Sequence, residues 1–368
     1  MLELYIEKLK KSYPKNSKIV VAMSGGVDSS VTASLIHRAG FETIGITLQL
    51  YRSGDPSRNK TCCSGKDIKD AQNVAFQEDF KHYILDYTQK FKEKVIDDFV
   101  DTYESGATPI PCGRCNQYIK FGYLLDFCKT VNADFLVTGH YVKKIQNELF
   151  RGEDTFKDQS YFLALTTKEQ LKMLDFPLAS INKSEVRTMA KELNLVVATK
   201  YESMDICFIP DGDYKGFLKR MRPEIFKPGN VISDNNEILG THNGLAGYTV
   251  GQRKGLNLPN GPWFVKELRT DSNELVVCKK EQLYEQCFFV NEINLLVDES
   301  YFENKEVQIQ VRSRQTPAFG MFFVKEKKVV FNSPQEAICK GQICAFYNEN
   351  QLLGGCIIET VKNKDFFA

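Results

Sequence analysis

Residues 24–30, "SGGVDSS", stand between the apolar run 18–23 and a stretch, 31–40, that reads as helix. Gly25 and Gly26 let backbone N–H groups approach a phosphate where a side chain would obstruct it. Ser29 and Ser30 add hydroxyls at the positive end of the following helix, so the segment is suited to an anion. The lysine of the GxxxxGK[ST] loop, which reaches the β- and γ-phosphates, is absent, and GxGxxG does not fit either. Transfer of a γ-phosphoryl group is therefore disfavoured. The bland alternative is an ordinary turn before a helix capped by Asp28 or Ser29.

Thiols form the second set. Cys112 and Cys115 make a C-x-x-C pair ahead of the amphipathic stretch 115–131, and the N–H groups at that helix start would stabilise a thiolate at Cys115. Cys207, in "DICFI", stands beside an expected strand and just before a Pro-Asp-Gly turn. Nucleophilic attack, a redox couple and metal binding are all open to such thiols. Zinc is weakly supported, because no second C-x-x-C or HxxxH follows and only Cys62 and Cys63 lie nearby. An iron–sulfur centre on Cys112, Cys115 and Cys207, with one iron open, is possible but not favoured.

The elements that must position these groups read as α/β. Strand-like runs at 18–23, 42–51, 81–87 and 133–141 alternate with helical stretches at 29–39, 66–78, 88–105 and 115–131, the pattern of a parallel, doubly wound sheet of Rossmann-like type. Ligands of such sheets bind beyond the carboxyl ends of the strands, where "SGGVDSS" and "TGHY" both fall. From about 209 a glycine-rich β pattern replaces it, and from about 285 short strands at close spacing indicate an antiparallel barrel. The expected domains are 1–208, a small β-rich 209–284, and 285–368.

Composition narrows the class. The chain has 368 residues, 42% hydrophobic and 26% charged, which fits a soluble globular protein. No apolar run approaches the roughly 18 residues of a membrane span, and the first fifteen residues lack a signal-peptide core, so the cytoplasm and no membrane partner are expected. Eleven cysteines, an odd number, then argue for reduced thiols. A net charge of +1 supplies no global field for a polyanion, so nucleic acid would have to be held by local basic patches.

"AMSGGVDSSV", "CNQYIKFG", "TGHY", "KDQSYFL", "DICFI", "GYTVGQRKGL" with "PWFV", and "VRSRQTP" occur in this order over nearly the whole chain. The loop resembles that of the PP-loop ATPases, and the whole set resembles the tRNA-specific 2-thiouridylases. The resemblance implies an ATP- and Mg²⁺-dependent sulfurtransferase. It would adenylate the C2 oxygen of the wobble uridine in the tRNAs for lysine, glutamate and glutamine, then place sulfur at C2. It also implies that Cys207 carries a persulfide received from a desulfurase or relay protein, and that Cys115 ends the cycle in a disulfide with it. ATP contacts carry over to Ala22, Met23, Ser24, Gly25, Gly26, Val27, Asp28, Ser29, Leu48 and Gly139. Contacts with tRNA carry over to Ile110, Pro111, Cys112, His140, Lys157, Asp158, Gln159, Arg312, Ser313 and Gln342, and no resident metal is implied.

Three positions depart from the family pattern. Ile110 stands where many relatives have the asparagine of Asn-Pro-Asp or Asn-Pro-Cys and cannot make its hydrogen bonds, Cys112 in place of aspartate leaves a third thiol in the site, and Ser313 replaces a stacking tyrosine. In the run 307–314, strict alternation would put Val307, Ile309 and Val311 on one face and Gln308, Gln310, Arg312 and Arg314 on the other. Two other functions compete: a small-molecule ligase or amidotransferase of the GMP-synthetase kind, against which stand the absence of a glutaminase domain and the presence of the paired cysteines, and a binding protein that uses C-x-x-C only as a metal clip.

Overall fold

Residues 18–22, "KIVVA", are apolar at every position after the first, the pattern of a strand covered on both faces. In the computed structural model, which describes residues 1–51, 65–201, 206–209 and 211–361, this run is β1 (Lys18–Ala22), and Ile19, Val20 and Val21 are wholly buried. The chain divides into two compact units, the first comprising Met1–Val95, Arg114–Gly212 and Asn350–Leu352.

The first unit is a parallel α/β sheet. Its strand order is β3 (Lys81–Asp86), β2 (Glu42–Gln49), β1, β4 (Phe135–Thr138) and a short strand Leu174–Asp175. β1 pairs in parallel with β2 on one side and β4 on the other, Val21 lying opposite Gly45 and Val137. Because the chain leaves β1 for β2 in one direction and returns to β4 on the opposite side, the carboxyl ends of β1 and β4 form the switch point of the sheet. Helices α1 (Leu2–Ser12), α2 (Val27–Arg38) and α3 (Gly65–Glu78) precede or connect the strands. α2 is buried along most of its length, with Val31, Leu35 and Ile36 in the same core as Ile19 and Val21.

The second unit comprises Ile96–Gly113, Asp213–Glu349 and Leu353–Ala368. It holds a four-stranded sheet ordered Phe264–Arg269, Glu274–Cys278, Gly229–Ser233, Ile238–His242. It also holds an antiparallel barrel of strands Tyr284–Leu295, Lys328–Glu336, Ala318–Phe323, Val307–Gln310, Ile343–Asn348 and, from Leu353 on, Gln351–Val361, closed by pairing of the first with the last. Closure removes the open edges of the sheet. Phe322 and Phe346 stack at 4.4 Å in its core, with Phe302 edge-on to both.

Two local expectations are corrected here. The β-rich reading after residue 209 missed a helix at Tyr214–Met221, whose N-terminus is capped by Asp213 accepting from the Gly216 N–H at 2.9 Å. The strand expected over 307–314 ends at Gln310. Beyond it the chain turns, with the Gln310 side-chain amide donating to the carbonyls of Arg312 and Ser313 at 2.9 and 3.1 Å. Gln310 is therefore buried to 2% exposure rather than facing out, and Arg312 and Arg314 lie on a turn.

Candidate active site

β1 ends at Ala22, and the Met23 N–H still donates to Ile46 of β2 at 2.8 Å. The chain then turns sharply. Gly25 has φ +72°, and a Cβ built there would lie 2.1 Å from the Asp67 carbonyl, so both the backbone angle and the neighbour require glycine. Gly26 is the N-cap of α2 and no side chain caps that helix, which removes the reading of an ordinary capped turn. Ser29 Oγ instead folds back, accepting from the Ser24 N–H at 3.1 Å and donating to the Gly26 carbonyl at 3.2 Å. The helix start thus keeps its amide donors for an anion. Across the switch point, a Cβ on Gly139 would come within 2.9 Å of Asp28 and Ser29 backbone atoms, so the loop after β4 presses directly on the first turn of α2. Leu48 is buried in β2, one residue from the end of that strand.

Two lysines that the sequence reading missed meet this loop. Lys183, first residue of the helix Lys183–Glu192, places its ammonium 2.6 Å from both carboxylate oxygens of Asp28, and the Tyr141 hydroxyl donates to the same carboxylate at 2.8 Å. Lys200 Nζ donates to the Gly25 carbonyl at 2.8 Å and to Asp67 and Asp70 of α3 at 2.6 and 2.5 Å. Burial works against the Lys200 charge, but the two carboxylates outweigh it and raise its pKa. No spacing rule links residues so far apart in the chain to a loop at 24–30, so no sequence signal could have found them.

His140 follows Gly139. Its Nδ1 lies 2.7 Å from Thr138 Oγ1 and its Nε2 3.5 Å from Lys120 Nζ, with Phe121 and Phe176 edge-on at 5.9 and 6.1 Å. Burial, aided by the Lys120 charge, holds its pKa well below the usual histidine range, so the ring is neutral at pH 7. An ammonium only donates, which makes Nε2 the acceptor and puts the proton on Nδ1, directed at Thr138.

The placement of Cys115 differs from the expectation. The helical run starts at Pro111, not after Cys115: Pro111–Arg114 is α-helical, Cys115–Tyr123 widens to π-helical turns, and Leu124–Thr130 returns to α. Cys115 is therefore one turn inside and buried at 7% exposure, whereas Cys112 stands near the helix start and is exposed. Wider turns commonly mark functional sites, since they displace a side chain from the regular α register. Asn116 beside it is buried and donates to the Phe162 carbonyl at 3.2 Å. Cys207 lies in a turn closed by the Ile209 N–H donating to Ile206, the described residues 206–209 forming no strand, and it is partly exposed. Nine cysteines among the described residues are thiols; Cys62 and Cys63 fall outside those residues. Among the described residues, no group of three or more His, Cys, Asp or Glu side chains is placed to hold a metal ion.

The remaining candidates divide between the units. In the first, Asp158 accepts from Arg151, the Gly152 N–H, the Ser160 N–H and the Ser160 hydroxyl, and Gln159 Oε1 accepts from the Tyr141 N–H at 3.0 Å. These bonds fix the loop that carries Lys157. In the second, Gln342 donates to the carbonyls of Thr108 and Pro109 at 3.1 and 2.8 Å, and so holds the backbone just before Ile110 and Pro111. Ile110 is buried, Arg312 donates to the Ala337 carbonyl, and Ser313 is exposed.

Three sequence-family models match consecutive stretches: "tRNA methyl transferase HUP domain" over residues 17–211, "tRNA methyl transferase PRC-barrel domain" over 215–279, and "Aminomethyltransferase beta-barrel domain" over 285–358. A protein named tRNA-specific 2-thiouridylase MnmA from Ehrlichia ruminantium (strain Gardel) is 43% identical over 357 residues, covering 94% of this chain and 96% of its own length. Proteins of the same name from Rickettsia bellii (strain OSU 85-389) and Zymomonas mobilis are 45% and 46% identical, covering 94% and 93% of this chain and 96% and 93% of their own lengths. Among the described residues, no helix is long and apolar enough to cross a membrane.

Proposed function

The chain belongs to the tRNA-specific 2-thiouridylases and makes 2-thiouridine in tRNA, and from that premise we propose how its residues divide the work. ATP lies with its phosphates against residues 22–29 and the start of α2, beside Leu48 and Gly139, with Mg²⁺ as counter-ion. The uridine O2 attacks the α-phosphorus and pyrophosphate leaves, so a poor carbonyl leaving group becomes AMP. The terminal sulfur of a persulfide on Cys207 then displaces AMP from C2. Cys115 attacks Cys207 Sγ and forms a disulfide, either releasing hydrosulfide before attack on C2 or resolving the persulfide afterwards. A dithiol reductant restores both thiols. Anticodon position 34 of the tRNAs for lysine, glutamate and glutamine is the proposed target, with a desulfurase or relay protein as sulfur source.

For tRNA, we propose contacts from residues 110–112, His140, Lys157, Asp158, Gln159, Arg312, Ser313 and Gln342. Asp158 and Gln342 contribute by holding the backbone that presents their neighbours. A neutral His140 can face an unstacked base without adding charge. Divisions at 1–208, 209–284 and 285–368 fit adenylation in the first part and RNA contacts in the last.

The observation that carries this reading is the uncapped α2 start behind a left-handed Gly25 at the sheet's switch point, in a chain that also holds Cys115 and Cys207. The descriptions of the matched models speak of methyl transfer, but a methyl group from a sulfonium donor leaves no pyrophosphate for such a loop to hold. The test is nucleoside mass spectrometry after incubation with tRNA, ATP, Mg²⁺ and a persulfide donor. Gain of 2-thiouridine with release of AMP and pyrophosphate is expected; uridine that stays unchanged with the donor present would sink the proposal.

A further inference from the structure

We infer that Lys200 is a positioning residue for pyrophosphate recognition: by holding the Gly25 carbonyl it turns the Gly26 N–H of the same peptide toward the phosphate side of the loop. The inference rests on the adenylation reading above. In a trans peptide the C=O and the next N–H point in opposite directions, so fixing one fixes the other. Lys200 Nζ holds the Gly25 oxygen at 2.8 Å, and that lysine is itself held by Asp67 and Asp70 at 2.6 and 2.5 Å.

The loop needs this restraint because of its own composition. A glycine moves between left-handed and extended conformations at little cost, so the Gly25–Gly26 peptide could flip and present a carbonyl oxygen to an anion. Gly25 in its left-handed state packs against the Asp67 backbone, and the Lys200 ammonium joins these same two residues from the side-chain direction. In the GxxxxGK[ST] loop the lysine reaches the phosphate; here the Lys200 ammonium holds the backbone behind it. The ammonium's raised pKa keeps it charged across the physiological range, so the anchor does not loosen with pH.

The experiment is equilibrium binding of ATP, inorganic pyrophosphate and adenosine by the full-length chain and its variants. One misdirected N–H to a charged phosphate corresponds to a loss of about ten- to a hundredfold in affinity. Lys200→Met is expected to weaken ATP and pyrophosphate by that factor while adenosine changes less than twofold. Lys200→Arg, which still donates to carbonyl and carboxylates, is expected to stay near wild type. A merely structural lysine would lower all three ligands together and depress the melting temperature in proportion. If Lys200→Met binds pyrophosphate like wild type, the inference is overturned and the adenylation reading stands; if wild type binds neither ATP nor pyrophosphate, both fall. Should Lys200→Met not fold, ¹⁵N-glycine NMR of the wild type decides. Pyrophosphate must shift the Gly26 amide more than that of Gly40, which lies at the far end of α2, and an unmoved Gly26 overturns the inference.

Discussion

Asp28 is gripped by Lys183 from 155 positions away, both carboxylate oxygens lying 2.6 Å from the ammonium. The pair is largely withdrawn from water, with side-chain exposures of 31% and 11%. Asp28 sits in the first turn of α2, where an acid favours the helix dipole but opposes an incoming phosphate. Lys183 cancels that opposition without occupying the loop itself. The lysine absent from residues 24–30 is therefore present in space, on the acid rather than on the phosphate.

Lys183→Met should leave the Asp28 carboxylate half-buried beside the anion site, with Tyr141 as its remaining partner among the described residues. Removing one member of such a pair costs about 2–3 kcal/mol, somewhat less than for a fully buried one. Urea unfolding should show that loss, and ATP affinity should fall with it. The double variant Asp28→Asn/Lys183→Met should recover most of the stability, because no charge is then stranded. A single variant as stable as wild type would contradict this account.

Gly25→Ala and Gly40→Ala separate backbone strain from close approach. Both glycines have positive φ, +72° and +89°, but a Cβ at Gly40 meets nothing within 4 Å while one at Gly25 meets Asp67. Gly40→Ala should cost only the left-handed penalty of about 1–2 kcal/mol and keep full activity. Gly25→Ala adds overpacking of about 1–3 kcal/mol and should abolish ATP binding. Equal melting temperatures for the two variants would show that the Asp67 approach is unimportant.

Two of the thiols should be inert. Burial pushes the Cys128 thiol up to about 12 and the Cys278 thiol up to about 11. At pH 8 the thiolate fraction is then on the order of 10⁻⁴ and 10⁻³, too small for nucleophilic work. Cys128→Ala and Cys278→Ala should keep near-normal 2-thiouridine formation, whereas Cys115→Ser and Cys207→Ser should each reduce it to background. Alkylation of the native protein followed by peptide mass spectrometry should label exposed Cys112 before Cys128. Full turnover by Cys207→Ser would remove the persulfide from that residue.

The sheet and its loop were legible because their signals are contiguous. "KIVVAM" followed by "SGGVDSS" fixes a strand, a glycine turn and a helix start within one stretch, and "TGHY" after a second apolar run repeats the geometry at β4. Lys183 and Lys200 were not legible, since ordinary surface helices also carry lysines and only the fold brings these two to residues 25 and 28. Nor was the depth of Cys115. Amphipathic spacing at 115–131 marks a helix but not its first turn, and Pro111, which is favourable at a helix start, was the overlooked sign. The 307–314 alternation failed for a third reason: a buried glutamine can satisfy its amide on the turn that ends its own strand, so polarity alone did not put Gln310 outside.

Acid should destabilise the first unit through His140. Its folded pKa lies well below 6.5 because burial, helped by the Lys120 charge, disfavours the imidazolium. The unfolded chain therefore binds a proton that the folded chain refuses once pH drops below about 6.5. Stability from this group is full above that pH and is lost as pH falls toward the folded pKa, by at most about 1.4 kcal/mol per pH unit. Urea midpoints should be level between pH 7 and 8 and decline between 6.5 and 5, above the range where most carboxylates titrate. His140→Gln can keep a hydrogen bond to Thr138 but cannot titrate, so its decline should be shallower by up to that slope. His82, also lowered by burial and in the same unit, would supply part of what decline remains. Identical acid limbs for wild type and His140→Gln would mean that the ring near Thr138 accepts its proton as readily folded as unfolded, and that its neutrality at pH 7 is not imposed by the fold.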